Sequence, residues 1–79
     1  MPRVRLYGAD GCHLCDAARK VVRSVRSETP FDLEEVDIES DPELERRYRT
    51  RIPVVEIDGV DAFTYYVHPD GLRRRLGAA

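Results

Sequence analysis

The chain has 79 residues and 9.1 kDa, which leaves room for one small domain and no second. Hydrophobic residues make up 42% and charged residues 35%, a composition too apolar for disorder but enough for only a small core. The 13 basic and 15 acidic residues leave a net charge of −2, so no global field exists to grip nucleic acid.

In chain order, Val4, Leu6 and Tyr7 form a short β-prone run that ends at Gly8, and Ala9-Asp10-Gly11 reads as a turn. A helix follows over 12–26. Cys15, Ala18, Val22 and Val25 recur at helical spacing as an apolar stripe, with Arg19, Arg23 and Arg26 away from it. Asp10 is read as its N-cap, and Thr29-Pro30 closes it. Residues 31–38 form a second strand with Val36 and Ile38 on one face. Phe31 and Leu33 are out of phase with that pair, which predicts a bulge or a late strand start.

Ser40-Asp41-Pro42-Glu43 opens a second helix. Asp41 is its N-cap, Pro42 suits the first helical position, and Ser40 with Glu43 has capping-box spacing. Leu44 and Tyr48 share a face of it. A third strand runs over 52–57, with Pro53 near its start, where proline is tolerated. Asp58-Gly59 is a hairpin signal, and the returning strand covers 60–67. Within it, adjacent Tyr65 and Tyr66 point to opposite faces, one to the core and one to the surface. Pro69-Asp70 opens a last helix with Leu72 and Leu76 on one face and Gly77 at its end. The order β-α-β-α-β-β-α predicts an α/β fold. Its first two strands are parallel through a right-handed crossover, and its last two form an antiparallel hairpin.

The chain's two cysteines, Cys12 and Cys15, form one CxxC. A disulfide across so short a loop stabilises by roughly 2 kcal/mol, against about 4.7 for a long loop, so stability is a poor reason for the pair. Its place is more telling. It sits where a strand turns into a helix, and there unpaired N–H groups and the positive end of the macrodipole favour a thiolate. Cys12, on the turn side, is expected to be the more exposed sulfur, and Cys15, at the head of the apolar stripe, the more buried. That asymmetry suits disulfide exchange, with Cys12 attacking and Cys15 resolving the mixed disulfide. A protonated His13, between them, favours the Cys12 thiolate.

These features resemble the glutaredoxin/thioredoxin superfamily, and above all the short glutaredoxin-like proteins of bacteria. The resemblance rests on Tyr7 ending the first strand, Cys12-His13-Leu14-Cys15 opening a helix, and Arg51-Ile52-Pro53-Val54-Val55 further on. It covers residues 1–79 as a single domain. It implies the minimal thioredoxin fold, a four-stranded mixed sheet in order 2-1-3-4 with three helices. It implies a dithiol thiol–disulfide oxidoreductase, with Cys12 as nucleophile, Cys15 as resolving cysteine and electron transfer to or from a disulfide. The Ile52–Pro53 bond is expected to be cis, lying beside the CxxC and exposing the Ile52 backbone to a bound substrate strand.

Substrate contacts are therefore expected at Ile52, Pro53, His13 and Arg51, the last as an arginine able to meet a carboxylate of substrate or glutathione. His13-Leu14 stands where dithiol glutaredoxins carry Pro-Tyr, Ala9 where they carry Lys, and no Gly-Gly turn is present. No built-in cofactor is expected, and the reductant is glutathione, another low-molecular-weight thiol or a reductase. The partner is a disulfide-containing protein or small thiol, met by a monomer, with no nucleic acid and no membrane.

The alternative for the cysteine pair is a non-catalytic module on the same fold. Its CxxC would bind zinc or an iron–sulfur cluster across a dimer, because one CxxC supplies only half of a four-ligand site. Within one chain only His13 and His68 could add ligands, and no metal ligand set is assigned. Arg73-Arg74-Arg75 reads as a solvated basic face. Met1-Pro2-Arg3-Val4-Arg5 has no apolar signal-peptide core and no run approaches a membrane span, so a cytoplasmic location is expected.

Overall fold

In a computed structural model that describes residues 1–77, β1 (Arg3–Gly8) lies inside a four-stranded sheet, parallel to β2 (Asp32–Asp37) and antiparallel to β3 (Val54–Ile57). β4 (Val60–Thr64) completes the order β2-β1-β3-β4 as an antiparallel edge. Three helices cover the faces: α1 (His13–Glu28), α2 (Pro42–Tyr48) and α3 (Pro69–Gly77). The mixed sheet, its order and the helix count agree with the fold expected above. No helix among the described residues is long and apolar enough to cross a membrane.

Alternation along β1 explains why both faces need a cover. Val4 and Leu6 face α1 and α3, in a core with Val22, Val25, Phe31, Val55, Leu72 and Leu76. Tyr7 faces the other way, into a smaller cluster with Ala9, Ile38, Tyr48 and Val54 under α2. Neighbouring Val54 and Val55 of β3 serve opposite layers, and both are fully buried. A two-sided sheet also accounts for β2. Leu33 packs on the α1/α3 core and Val36 on the α2 cluster. Their opposite phase is thus ordinary strand alternation, and the β1–β2 register runs unbroken from Arg3↔Asp32 to Gly8↔Asp37. The expected bulge in this strand is absent, and the strand starts after Phe31. The sheet's irregularity lies instead between Val55 and Glu56, opposite β4.

Several boundaries differ from the sequence expectation. α1 begins at His13 with Cys12 as its N-cap, so Asp10 does not cap it. Ile38 leaves the second strand for a short 3-10 turn (Ile38–Ser40), because the Asp37 carboxylate accepts the Glu39 N–H at 2.9 Å. Ser40 belongs to that turn and donates its hydroxyl to the Asp37 carbonyl at 2.6 Å, so there is no Ser40–Glu43 capping box. Asp41 does cap α2, accepting the Glu43 N–H at 2.9 Å. The third strand begins at Val54, after Pro53. The fourth ends at Thr64, because Tyr65 turns the chain with φ +68°. Both Tyr65 and Tyr66 are exposed, so neither enters the core.

The Asp58-Gly59 turn forms as expected, with φ of +51° and +84°, the signs a two-residue hairpin of this type needs. Asp58 also ties the turn to β1: its carboxylate accepts the Arg3 N–H at 2.9 Å. Under α2, the rings of Tyr7 and Tyr48 stack with centroids 4.4 Å apart. Glu56 accepts from the Tyr7 hydroxyl at 3.4 Å and from the Tyr48 hydroxyl at 3.5 Å. Burial is the main cause pushing the Tyr48 phenol above its ordinary value, with Tyr7 adding to it. α3 is tied to the end of α1 by Arg73, which donates to both Glu28 oxygens at 2.8 and 3.2 Å.

Candidate functional site

The site is built at the end of β1. After Gly8 and Ala9 the chain turns through Asp10 and Gly11, whose φ of +76° suits glycine. Cys12 follows in an extended conformation, and its Sγ accepts the Cys15 N–H at 3.2 Å. A sulfur thus occupies the place where a serine or aspartate oxygen usually caps a helix, among N–H groups that favour negative charge. Cys12 and Cys15 are disulfide-bonded, with their Cα atoms 5.2 Å apart. Cys15 is fully buried, Cys12 is partly exposed and His13 is exposed. Cys15 is buried because it heads the stripe that Ala18, Val22 and Val25 continue.

Two residues outside the motif press on this pair. A Cβ placed on Gly8 would lie 3.2 Å from Cys15 Sγ, so any other residue here would press the sulfur or the strand aside by a few tenths of an ångström. Arg19, one helical turn beyond Cys15, reaches back to the Ala9 carbonyl oxygen at 3.5 Å. Asp10, Cys15, Arg19, Glu35 and Asp37 line a cleft of about 220 Å³ behind the disulfide.

The second half of the site is the 50–53 loop. Val54 pairs with Tyr7, so Ile52 and Pro53 enter the sheet beside the point where the CxxC turn leaves it. The Ile52–Pro53 peptide bond is cis. Pro53 is buried and Ile52 half-buried. β4 and the residue that follows it fasten this loop three times. Tyr65 donates its N–H to the Pro53 carbonyl at 2.8 Å and its hydroxyl to the Thr50 carbonyl at 2.6 Å. Arg51 pairs with Asp61 at 2.8 Å, and its guanidinium also lies 5.5 Å from the centre of the Tyr48 ring. Arg51 therefore already has a carboxylate partner within the chain.

The structure thus brings Cys12, His13, Cys15, Ile52 and Pro53 to one end of the sheet's central strands. Arg51 is at that end too, turned toward Asp61. Gly8, Arg19 and Tyr65 were not singled out from sequence as site residues. A Gly directly before the turn is a faint signal for the first, and nothing marks the other two. Arg73 of the basic run is committed to Glu28 and Asp70, and Arg75 lies over the Phe63 ring. Among the described residues, no group of three or more His, Cys, Asp or Glu side chains is placed to hold a metal ion.

A family model described as a glutaredoxin-like domain (DUF836) matches residues 3–77. The chain belongs to that family. Among solved structures, this glutaredoxin-like domain is similar to protein Ne2328 from Nitrosomonas europaea, with a TM-score of 0.78 and 27% identity over 95% of this chain and 91% of that one. It is similar to target protein XcR50 from X. campestris, with a TM-score of 0.77 and 32% identity over 96% and 97% of the two chains. A mutant thioredoxin from Halobacterium salinarum shares the fold, with a TM-score of 0.74 at 20% identity, over 98% of this chain and 73% of that one. No match was found among the curated proteins.

Proposed function

We propose that this glutaredoxin-like domain is a dithiol thiol–disulfide oxidoreductase. The observation that carries the reading is the unequal pair: a partly exposed Cys12 sulfur capping α1 and bonded to a fully buried Cys15. In the reduced protein the Cys12 thiolate attacks one sulfur of a substrate disulfide. A Cys12–substrate bond forms and the other substrate sulfur leaves as a thiolate. Cys15 then attacks Cys12 Sγ and the second substrate sulfur leaves. Two electrons have passed to the substrate, and the protein holds the Cys12–Cys15 disulfide. Glutathione, another small thiol or a reductase returns them.

His13 and the Ile52-Pro53 segment meet the substrate, the backbone of Ile52 pairing with an extended strand beside Cys12. Arg51 lies next to that segment, turned toward Asp61. The protein works as a monomer in the cytoplasm on a disulfide-containing protein or small-thiol partner. A metal-holding role would need a second chain's CxxC, since two cysteines supply half of a tetrahedral site.

The test is a pair of serine variants in a disulfide-reduction assay. Cys12→Ser abolishes exchange, and Cys15→Ser accumulates a mixed disulfide on Cys12, visible by mass. A Cys12→Ser protein with undiminished exchange would contradict the proposal.

A further inference from the structure

Arg19 carries a positive charge into a place where the fold alone does not require one. Its side chain is only 25% exposed, and two edges of its guanidinium are occupied: Nη1 meets Asp16 at 2.6 Å and Nε meets Glu35 at 3.6 Å. The remaining nitrogen, Nη2, points back to the end of β1, where its one hydrogen bond, to the Ala9 carbonyl, is long at 3.5 Å. A Cβ on Gly8 would lie 3.4 Å from this Nη2 and 3.2 Å from Cys15 Sγ. A guanidinium nitrogen and the buried sulfur therefore both border the side of Gly8 that carries no Cβ.

We infer that Arg19 is a positioning residue for the resolving step, steadying the Cys15 thiolate as it attacks the Cys12 mixed disulfide; this rests on the exchange reading above. In that step the Cys15 thiol releases its proton to solvent through the cleft behind it. Its sulfur bonds to Cys12 Sγ, and the Cys12–substrate bond breaks with its electron pair leaving on the substrate thiolate. Cys12 has the helix N-terminus to favour its charged form. Cys15, without exposed surface, faces the cost of burying a charge and needs a cation close by.

The other charged groups around it are named by the same geometry. Asp10 on the turn and Glu35 and Asp37 on β2 line the cleft, and Asp16 lies next to Cys15 on α1. His13 is exposed on the first turn of α1. Glu35 is shared with Arg23 at 2.8 and 3.0 Å, and the Asp16 side chain is 58% exposed, so water screens its charge more than that of the 25% exposed Arg19.

The test mixes reduced protein with dithiobis-nitrobenzoate, which releases one coloured thiolate when Cys12 attacks and another when Cys15 resolves. In Arg19→Gln, the midpoint of the second phase's pH profile rises by about one pH unit. A more basic thiolate is also a better nucleophile. The second phase therefore slows about threefold at neutral pH and runs about threefold faster than the parent at high pH. The first phase is unchanged, and Arg19→Lys, which keeps the charge, restores the parent profile. An unmoved second profile, an equal shift of both phases, or Arg19→Lys behaving like Arg19→Gln overturns the inference. Absence of a first phase in the parent protein overturns the exchange reading itself.

Discussion

The sulfur of Cys15 lies against the bare Cα of Gly8. A Cβ built on Gly8 would come within 3.2 Å of Cys15 Sγ and 3.3 Å of Cys15 Cβ. Neither side can easily yield. β1 is hydrogen-bonded on both edges, to β2 and β3, and α1 is fixed by Ala18, Val22 and Val25 in the core. Gly8→Ala is expected to lower stability by about 1–3 kcal/mol through overpacking, although alanine is ordinarily the better strand residue. Urea denaturation measures it, and the loss should shrink in a Cys15→Ala background, where the sulfur is gone. A Gly8→Ala protein as stable as its parent would show that this contact relaxes freely.

Tyr65 fastens the 50–53 loop through its backbone and its hydroxyl while held at φ +68°, a conformation that costs a non-glycine residue about 1 kcal/mol or more. Tyr65→Phe keeps the turn and removes the 2.6 Å bond to the Thr50 carbonyl. The expected loss is about 0.5–1.5 kcal/mol. Amide hydrogen exchange should quicken over residues 50–53 more than in the β1–β2 pair. Exchange that quickens equally everywhere would count against a local strap.

The site's main residues were legible for two reasons: the strand-to-helix turn that holds Cys12-His13-Leu14-Cys15 marks the cysteines, and the family resemblance adds Ile52-Pro53 downstream. Asp41-Pro42 and Asp58-Gly59 were legible because each is a local signal whose backbone demand is met within a few residues. Tyr65 was not legible, since nothing in the Val60-Asp61-Ala62-Phe63-Thr64 run announces a left-handed residue after it. Leu33 and Val36 misled because this edge strand lends one half-buried side chain to each of the two layers, so its apolar residues show no single face. Asp10 misled because a cysteine sulfur took the cap that a carboxylate usually takes. Arg19 sits off the apolar stripe like any solvated arginine, and nothing in the sequence shows that its guanidinium reaches the end of β1 beside Gly8.

Tyr48 gives a prediction in alkaline solution. Its phenol is pushed above the ordinary value, chiefly by burial. The neutral form is therefore favoured by folding. The resulting stability is present in full below about pH 10 and is lost as pH rises beyond it. Ultraviolet titration of tyrosinate should show a late component that Tyr48→Phe removes. A titration that Tyr48→Phe leaves without any loss of its late component would contradict this.

Glu28 gives the opposite sign in acid. The hydrogen bond from Arg73 is the main cause holding its carboxyl below the usual glutamate range. Folding therefore favours the carboxylate. That contribution is present above the ordinary carboxylate range and is lost as pH falls through the depressed folded value. The pair is exposed, so its effect on stability is small. Carboxyl NMR titration should find Glu28 below the usual glutamate range in the parent and back within it in Arg73→Met. A Glu28 that titrates identically in both proteins would show that the link between α1 and α3 does not persist in solution.

The central claim is that Cys12 and Cys15 exchange electrons with a disulfide. The most direct measurement equilibrates the protein across glutathione buffers, quenches with acid and counts free thiols by mass. A reversible two-electron couple between about −180 and −270 mV, the interval from protein disulfide isomerase to thioredoxin, is the predicted result. Thiols that stay reduced at every ratio, or that respond only after a chelator is added, would contradict it.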